Sequence, residues 1–328
     1  SLRRKVLFLT IELSTSHFRM STITHPLLLR LVASAARVSC LAGGIIKDVM
    51  NRGDLGIIDK GVNDLQTEAD RSSQRCIISL LLQQFPKAKI IGEEENIEIA
   101  GYKIPQEDMS PCKISESILS SKCPDKLIDL KEEQVVIWVD PLDGTSEFAE
   151  GLLEHVTVLI GISVEGEAVA GIIHQPYFNK NSHEGRTIWG IVGGEYGGFE
   201  LKYPPEGTLI LTTSRSHLSK ASLVAIDAIK PTDVVRAGGA GYKAVIVLEG
   251  RAHSYIHASS GCKKWDTCAA EAVLRSAGGV LTDISGIAYS YASGVAYPNK
   301  TGVLASCNME VHDKLLSIMP EEVKKSLQ

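Results

Sequence analysis

The 328-residue chain is long enough for one large layered domain or two average ones, and 44% hydrophobic with 22% charged residues excludes a disordered or collagen-like chain. Lys and Arg number 34 against 39 Asp and Glu, so the net charge of −5 offers no global basic field to hold a nucleic-acid polymer, and a small-molecule substrate is expected. No uninterrupted apolar run reaches the roughly 18 to 20 residues of a membrane span, and the 7 scattered cysteines, never spaced C-x-x-C, point to neither a disulfide framework nor a zinc site but to a reducing, cytoplasmic compartment.

Residues 1–25 read as a poorly ordered extension. Arg3, Arg4, Lys5 and Arg19 with the single acid Glu12 leave a mitochondrial leader as a weaker reading. From Pro26 to Met50 apolar residues recur at helical spacing, and Asp64 to Phe85 reads as a second helix, with Asn63 or Asp64 as its cap and Pro86 as its stop. A short strand, Ala88 to Ile91, leads into Gly92-Glu93-Glu94-Glu95. The polar stretch 96–133 reads as a surface insertion with one helix near 115–120. Gln134 to Val139 is a continuous apolar run suited to a central strand that Asp140-Pro141 stops. Val156 to Val164 and Glu167 to His174 form a hairpin about Glu165-Gly166. Strands at 187–192 and 208–213 follow, then helix 218–229, strand 233–236, helix 241–249, strand 253–257, helix 266–277 and strand 280–284. An α/β protein is expected, with an α+β half (26–175) joined near Pro176 to an α/β half (176–328).

The acidic residues that stand out lie at element ends: Asp64 and Asp70, Glu93 and Glu94, Asp140 and Asp143, and Asp266. Hard divalent cations such as Mg²⁺ take oxygen ligands, commonly a few carboxylates completed by water and substrate phosphate. In Asp140-Pro141-Leu142-Asp143-Gly144-Thr145 the two carboxylates are placed to face one pocket, with the Leu142 carbonyl as a third oxygen. The helix opening at Gly144-Thr145 offers N–H groups to a phosphate. A plain turn, with Asp143 capping that helix, is the competing reading.

DPLDGT, with GEE upstream and WDTCAAE downstream, resembles the inositol monophosphatase superfamily of Mg²⁺-dependent, lithium-sensitive phosphomonoesterases. GDLGI (53–57), NDLQTEADR (63–71), FPKAKIIGEEE (85–95), VVIWVDPLDGTSEFAEGLLEHVTVLIGI (135–162), GRTIWG (185–190), TTSRSH (212–217), GGAGYK (238–243) and SSGCKKWDTCAAE (259–271) are similar to its 3′(2′),5′-bisphosphate nucleotidase branch. The likeness runs from Pro26 to the C-terminus and implies a layered αβαβα sandwich. It also implies two or three Mg²⁺ ions on Glu93, Asp140, the Leu142 carbonyl, Asp143 and Asp266, and inhibition by Li⁺. Asp70 falls on the family's proton-accepting aspartate and Thr145 on the hydroxyl that orients the attacking water. Nucleotide contacts fall on Gly144, Thr145, Ser214, His217, Gly239, Lys243 and Asp266.

Read from the residues alone, Gly238 to Gly241 is as readily an ordinary turn, and His217 more readily a structural cap. Lys263 and Lys264 lie close enough in sequence to Asp266 to tune local charge or touch phosphate, but read slightly more readily as solvated loop lysines, and Cys262 and Cys268 as packing residues. Ser146, Tyr242 and His174 depart from the Lys, Asn and Asn expected in the family. The activity implied is removal of the 3′-phosphate of adenosine 3′,5′-bisphosphate, extending to its 2′ isomer and to the sulfuryl donor nucleotide, by a monomer or homodimer with no nucleic-acid or membrane partner. The alternatives are an inositol polyphosphate 1-phosphatase and a non-catalytic nucleotide sensor.

Overall fold

A computed structural model describes residues 25–61, 64–95, 113–178, 185–216 and 218–327. The 1–25 extension (all but His25), much of the 96–133 stretch and His217 lie outside the described residues. Helix α1 (Leu27–Arg52) is followed by the hairpin β1 (Ile58–Gly61) and β2 (Asp64–Gln66), α2 (Glu68–Gln84) and β3 (Lys89–Gly92). Next come α3 (Lys113–Leu119), β4 (Val135–Asp143), α4 (Thr145–Glu150), β5 (Thr157–Val164), β6 (Glu167–Gln175), β7 (Arg186–Ile191) and β8 (Tyr196–Gly197). The remainder alternates: β9 (Ile210–Ser214), α5 (Lys220–Ile229), β10 (Asp233–Ala237), α6 (Ala240–Leu248), β11 (Ser254–His257), α7 (Lys264–Ser276), β12 (Val280–Thr282), β13 (Val303–Ser306), α8 (Met309–Ile318) and α9 (Glu321–Lys325).

Two sheets stack with helices outside and between them. The first has strand order β3-β4-β5-β6-β7-β8, the second β10-β9-β11-β13-β12. In the first only β3 and β4 run parallel; in the second β10, β9 and β11 are parallel and β13 opposes both its neighbours. Apolar positions of α1 and α2, among them Leu28, Val32, Ile46, Ile77 and Leu81, pack with Ile137, Val139, Ile160 and Ile172 on one face of the first sheet. On its other face α6 and α7 fill the space up to the second sheet, through Ala244, Val245, Val273 and Leu274 against Leu159, Ile173, Tyr255 and Val303. Helices α5 and α8 close the far side through Ala225, Ile229 and Leu315. The result is the expected αβαβα sandwich, its layers held by apolar faces that each element must bury.

Several elements differ from the sequence reading. Asp64 lies in strand β2, and the second helix is capped by Thr67, whose hydroxyl accepts from Ala69 N–H at 3.2 Å while Asp70 accepts from Thr67 N–H at 2.7 Å. That reciprocal capping box ends the strand and starts the helix at Glu68, four residues later than the pattern indicates. Strand β4 is not stopped at Asp140: it continues through Pro141 to Asp143, with an irregularity in register between the two aspartates. Pro141 is tolerated because the ladder is interrupted at that point. The first sheet also runs past Pro176, through β7 and β8 to Gly197, so the change of layer falls between Gly197 and Ile210. Helix α1 is long and apolar enough in composition to cross a membrane, but most of its apolar residues are buried against the sheet, α2 and α3, as in a core helix. The β5–β6 turn is as expected, with Glu165 and Gly166 at φ 53° and 83°, the left-handed pair that a two-residue hairpin requires.

Candidate active site

The ends of β3 and β4, the first turns of α4 and α7 and the loop entering α6 converge on one cavity of about 450 Å³. Glu93, Asp140, Leu142, Asp143, Gly144, Thr145, Ser214, Gly239, Lys243 and Asp266 all line it. The parallel pair β3–β4 brings Gly92 opposite Val139, which sets Glu93 beside Asp140. Asp140 Oδ1 accepts from Leu142 N–H at 3.1 Å, and the carboxyls of Glu93, Asp143 and Asp266 lie close enough to act on its own. Burial, then the charges of Glu93, Asp143 and Asp266, push the Asp140 carboxyl well above the ordinary range. Burial likewise raises Glu93 and Asp266, with the neighbouring carboxylates adding to it. Among the described residues no three such side chains stand as a ready-made cation cage.

Asp143 is held differently. Oδ1 accepts from Ala240 N–H at 2.8 Å, and Oδ2 from Gly241 N–H at 2.8 Å and Thr157 Oγ1 at 2.7 Å. A carboxylate offers about four lone-pair directions, so one on Oδ1 is left over. Burial still raises Asp143, opposed chiefly by Lys243. The Lys243 ammonium is itself buried, donates to Gly239 C=O at 2.6 Å, and has its pKa lowered by burial.

Asp70 does not line the cavity. It is fully buried behind Thr145, whose hydroxyl lies 3.0 Å from Asp70 Oδ1 and 3.1 Å from the Leu142 carbonyl. Burial pushes Asp70 up to about 6, against hydrogen bonds from Thr67 and Thr145 that favour the charged form. The pair thus places a carboxyl that titrates near neutrality one hydroxyl away from the cavity.

Residues 29–324 match the model of the inositol monophosphatase family. The chain belongs to the inositol monophosphatase family. It is 47% identical over 309 residues to 3′(2′),5′-bisphosphate nucleotidase 1 of Rattus norvegicus, covering 93% of this chain and 98% of that protein, and 37% identical to the protein of the same name from Dictyostelium discoideum, covering 89% and 96%. The crystal structure of extragenic suppressor protein suhB from Bartonella henselae superposes with a TM-score of 0.65 at 21% identity, covering 88% of this chain and 97% of that one, a likeness of fold.

Glu94, unlike its neighbour Glu93, does not line the cavity. It is buried in an ion pair with Lys60 at 3.0 Å, and Gln66 also donates to it, tying the β1–β2 hairpin to the end of β3. Lys264 is not a solvated loop lysine: it is buried, donates to Asn299 and sits 4.2 Å from the Tyr289 ring centroid. Cys262 lines the cavity with its thiol pushed up to about 12 by burial, and Cys268 is fully buried. Glu147, Tyr255 and His257 also line the cavity and Thr157 holds Asp143, yet the sequence reading named none of them. Thr157 opens the apolar run TVLIGISV, where a lone hydroxyl at a strand start was the available signal.

Proposed function

We propose that the chain is a Mg²⁺-dependent phosphomonoesterase that hydrolyses the 3′-phosphate of adenosine 3′,5′-bisphosphate to AMP and phosphate. The observation that carries the reading is the set of four carboxylates on one wall of a cavity that also receives Thr145, backed by the buried Asp70. The nucleotide rests on the names of relatives up to 47% identical over nearly the whole chain. The donor set fits Mg²⁺: every candidate ligand is oxygen, crowding and burial raise the carboxyl pKa values in a way that a bound cation would relieve, and Asp143 keeps one lone pair for a cation. Glu93, Asp140, the Leu142 carbonyl, Asp143 and Asp266 would hold two or three ions, with Li⁺ competing for one position. When bound, Mg²⁺ lowers the pKa of water and offsets charge on the phosphoryl oxygens.

The chain's own residues do the rest. The Thr145 hydroxyl accepts the proton of the attacking water while passing its own to Asp70 Oδ1, 3.0 Å away. The Gly144–Thr145 backbone, opening a helix of six residues, offers local N–H donors to the transferred phosphate. Ser214, Gly239 and Lys243 supply hydroxyl, backbone and positive charge for the remainder of the nucleotide, together with His217, which lies outside the described residues. The six described cysteines are all free thiols, which supports residence in a reducing compartment such as the cytoplasm.

The test is phosphate release from adenosine 3′,5′-bisphosphate, inositol 1,4-bisphosphate and inositol 1-phosphate, each with Mg²⁺, with EDTA and with added Li⁺. The reading requires metal-dependent, lithium-sensitive turnover that favours the nucleotide. Preference for inositol 1,4-bisphosphate overturns the substrate assignment, and nucleotide binding without turnover makes the protein a sensor.

A further inference from the structure

His155 stands between β4–α4 and the glycine loop that enters α6, and none of the chemistry above uses it. Its Nδ1 accepts the Gly238 N–H at 2.9 Å, a buried bond, which places the ring proton on Nε2, toward the exposed Glu154 carboxylate 3.8 Å away. Its ring stacks on Tyr242, with centroids 4.8 Å apart and planes 20° from parallel. Its backbone carbonyl abuts Gly144 and Gly239 so closely that a Cβ at either position would lie 3.3 Å or 2.8 Å from it. One residue thereby touches the start of α4, both glycines of the loop and the first turn of α6. Burial lowers the imidazole pKa, with Glu147 and Glu154 opposing and Arg215 and Lys243 assisting, so the ring stays an acceptor at neutral pH.

The loop that His155 holds has few other anchors. Ala240 and Gly241 are fixed by Asp143, and Lys243 bonds back to Gly239. Gly238 is the first residue after strand β10, and Gly239 has φ 68°, a conformation open to glycine and costly for other residues. Two glycines carry no side chain to lock the turn, so its position depends on what its N–H groups meet.

We propose that His155 is a positioning residue for substrate binding: by pinning Gly238 and stacking on Tyr242 it fixes the loop that carries Gly239 and Lys243, and so sets affinity for the part of the substrate that is not hydrolysed. The substrate identity in this statement rests on the function proposed above. At the reacting end Thr145 is held by Asp70 and the Leu142 carbonyl, and Asp143 keeps Thr157 Oγ1 besides its two bonds to the loop, so the effect falls more on KM than on kcat.

Three full-length variants test this. His155→Phe keeps a ring for Tyr242 but removes the acceptor, His155→Asn keeps an acceptor of similar reach, and Tyr242→Leu removes the stack alone. The expected result for His155→Phe is a rise of about tenfold or more in KM for adenosine 3′,5′-bisphosphate, the scale of one buried N–H left without an acceptor, with kcat within about threefold. Deuterium exchange of the 238–243 segment should quicken by a similar factor. His155→Asn should restore both to within about threefold, and Tyr242→Leu should shift both in the same direction by a few-fold. Wild-type KM and exchange in His155→Phe overturn the proposal, as does equal impairment of the Phe and Asn variants. Should His155→Phe not fold, unchanged KM and exchange in Tyr242→Leu overturn it. If the wild-type protein does not hydrolyse the nucleotide, the proposed function fails while the exchange comparison still decides the role of His155.

Discussion

Asp70 touches the cavity only through Thr145 Oγ1, so its contribution depends on one hydrogen bond of 3.0 Å. Asp70→Asn should lower kcat by about 10²–10⁴-fold, the usual span for losing a general base. The unfolding midpoint should change little, because a buried carboxyl held up to about 6 is replaced by a neutral amide. Thr145→Val should behave likewise and Thr145→Ser should restore turnover; near-normal kcat in Asp70→Asn or Thr145→Val removes the relay. Away from the site, His174 donates or accepts at Nδ1 with Thr187 at 2.8 Å, while its Nε2 is buried without a partner. Burial, with a smaller push from Lys47, drives its pKa down to about 3. The unfolded chain binds a proton near 6.5 that the folded chain refuses until about 3, so stability is lost as pH falls through that window. The loss between pH 7 and pH 5 is on the order of 2 kcal/mol at about 1.4 kcal/mol per unit. His174→Asn should flatten the acid side of the stability–pH curve in urea melts; an unchanged slope contradicts the assignment. The residues that sequence shows well are those in fixed motifs, such as Asp140, Asp143 and Thr145. His155 and Lys264 were illegible because their partners, Gly238 and Asn299, are 83 and 35 positions away.

Among elements, α7 matters most to the site because it carries Asp266 to the carboxylates of β4. It approaches the first sheet over Gly161, Gly171 and Gly190, which stand opposite one another on β5, β6 and β7. A Cβ at Gly171 would run into the Ala269 backbone, and one at Gly161 into the Cys268 side chain and Ala269 N at 2.7 Å, so at Gly171 it is backbone rather than a yielding side chain that blocks the space. Gly171→Ala should cost about 1–3 kcal/mol, the range for overpacking, and should weaken Mg²⁺-dependent activity by moving Asp266. Chemical denaturation with parallel assays checks both, and full stability with full activity would show that α7 need not sit so close. The alternating strands and helices after residue 208 were readable because each is short, periodic and bounded by turn residues. The passage of β4 through Pro141 and the strand at Asp64 were not, since a local pattern does not reveal a broken ladder or the pairing of β2 with β1.

At the scale of the molecule, the cavity lies where the two sheets meet across α6 and α7. Glu93, Asp140 and Asp143 come from the first sheet, Ser214 from the second, and Lys243 and Asp266 from the helices between. Bringing four carboxylates together in a buried wall costs stability that a divalent cation returns, so Mg²⁺ should raise the melting temperature. The expected gain is about 2.7 kcal/mol at a hundredfold excess over Kd, and Asp140→Asn should shrink it; a Tm indifferent to Mg²⁺ contradicts the donor-set assignment. The layered architecture was visible in element order, whereas the meeting of residues 70, 145, 155, 238 and 266 at one place is a property of packing and appears only in three dimensions. The most direct measurement is ³¹P NMR of adenosine 3′,5′-bisphosphate mixed with the protein and Mg²⁺. The account predicts loss of the 3′-phosphate resonance, growth of inorganic phosphate and retention of the 5′-phosphate as AMP, all abolished by EDTA. Loss of the 5′ resonance instead, or turnover that persists in EDTA, would contradict it.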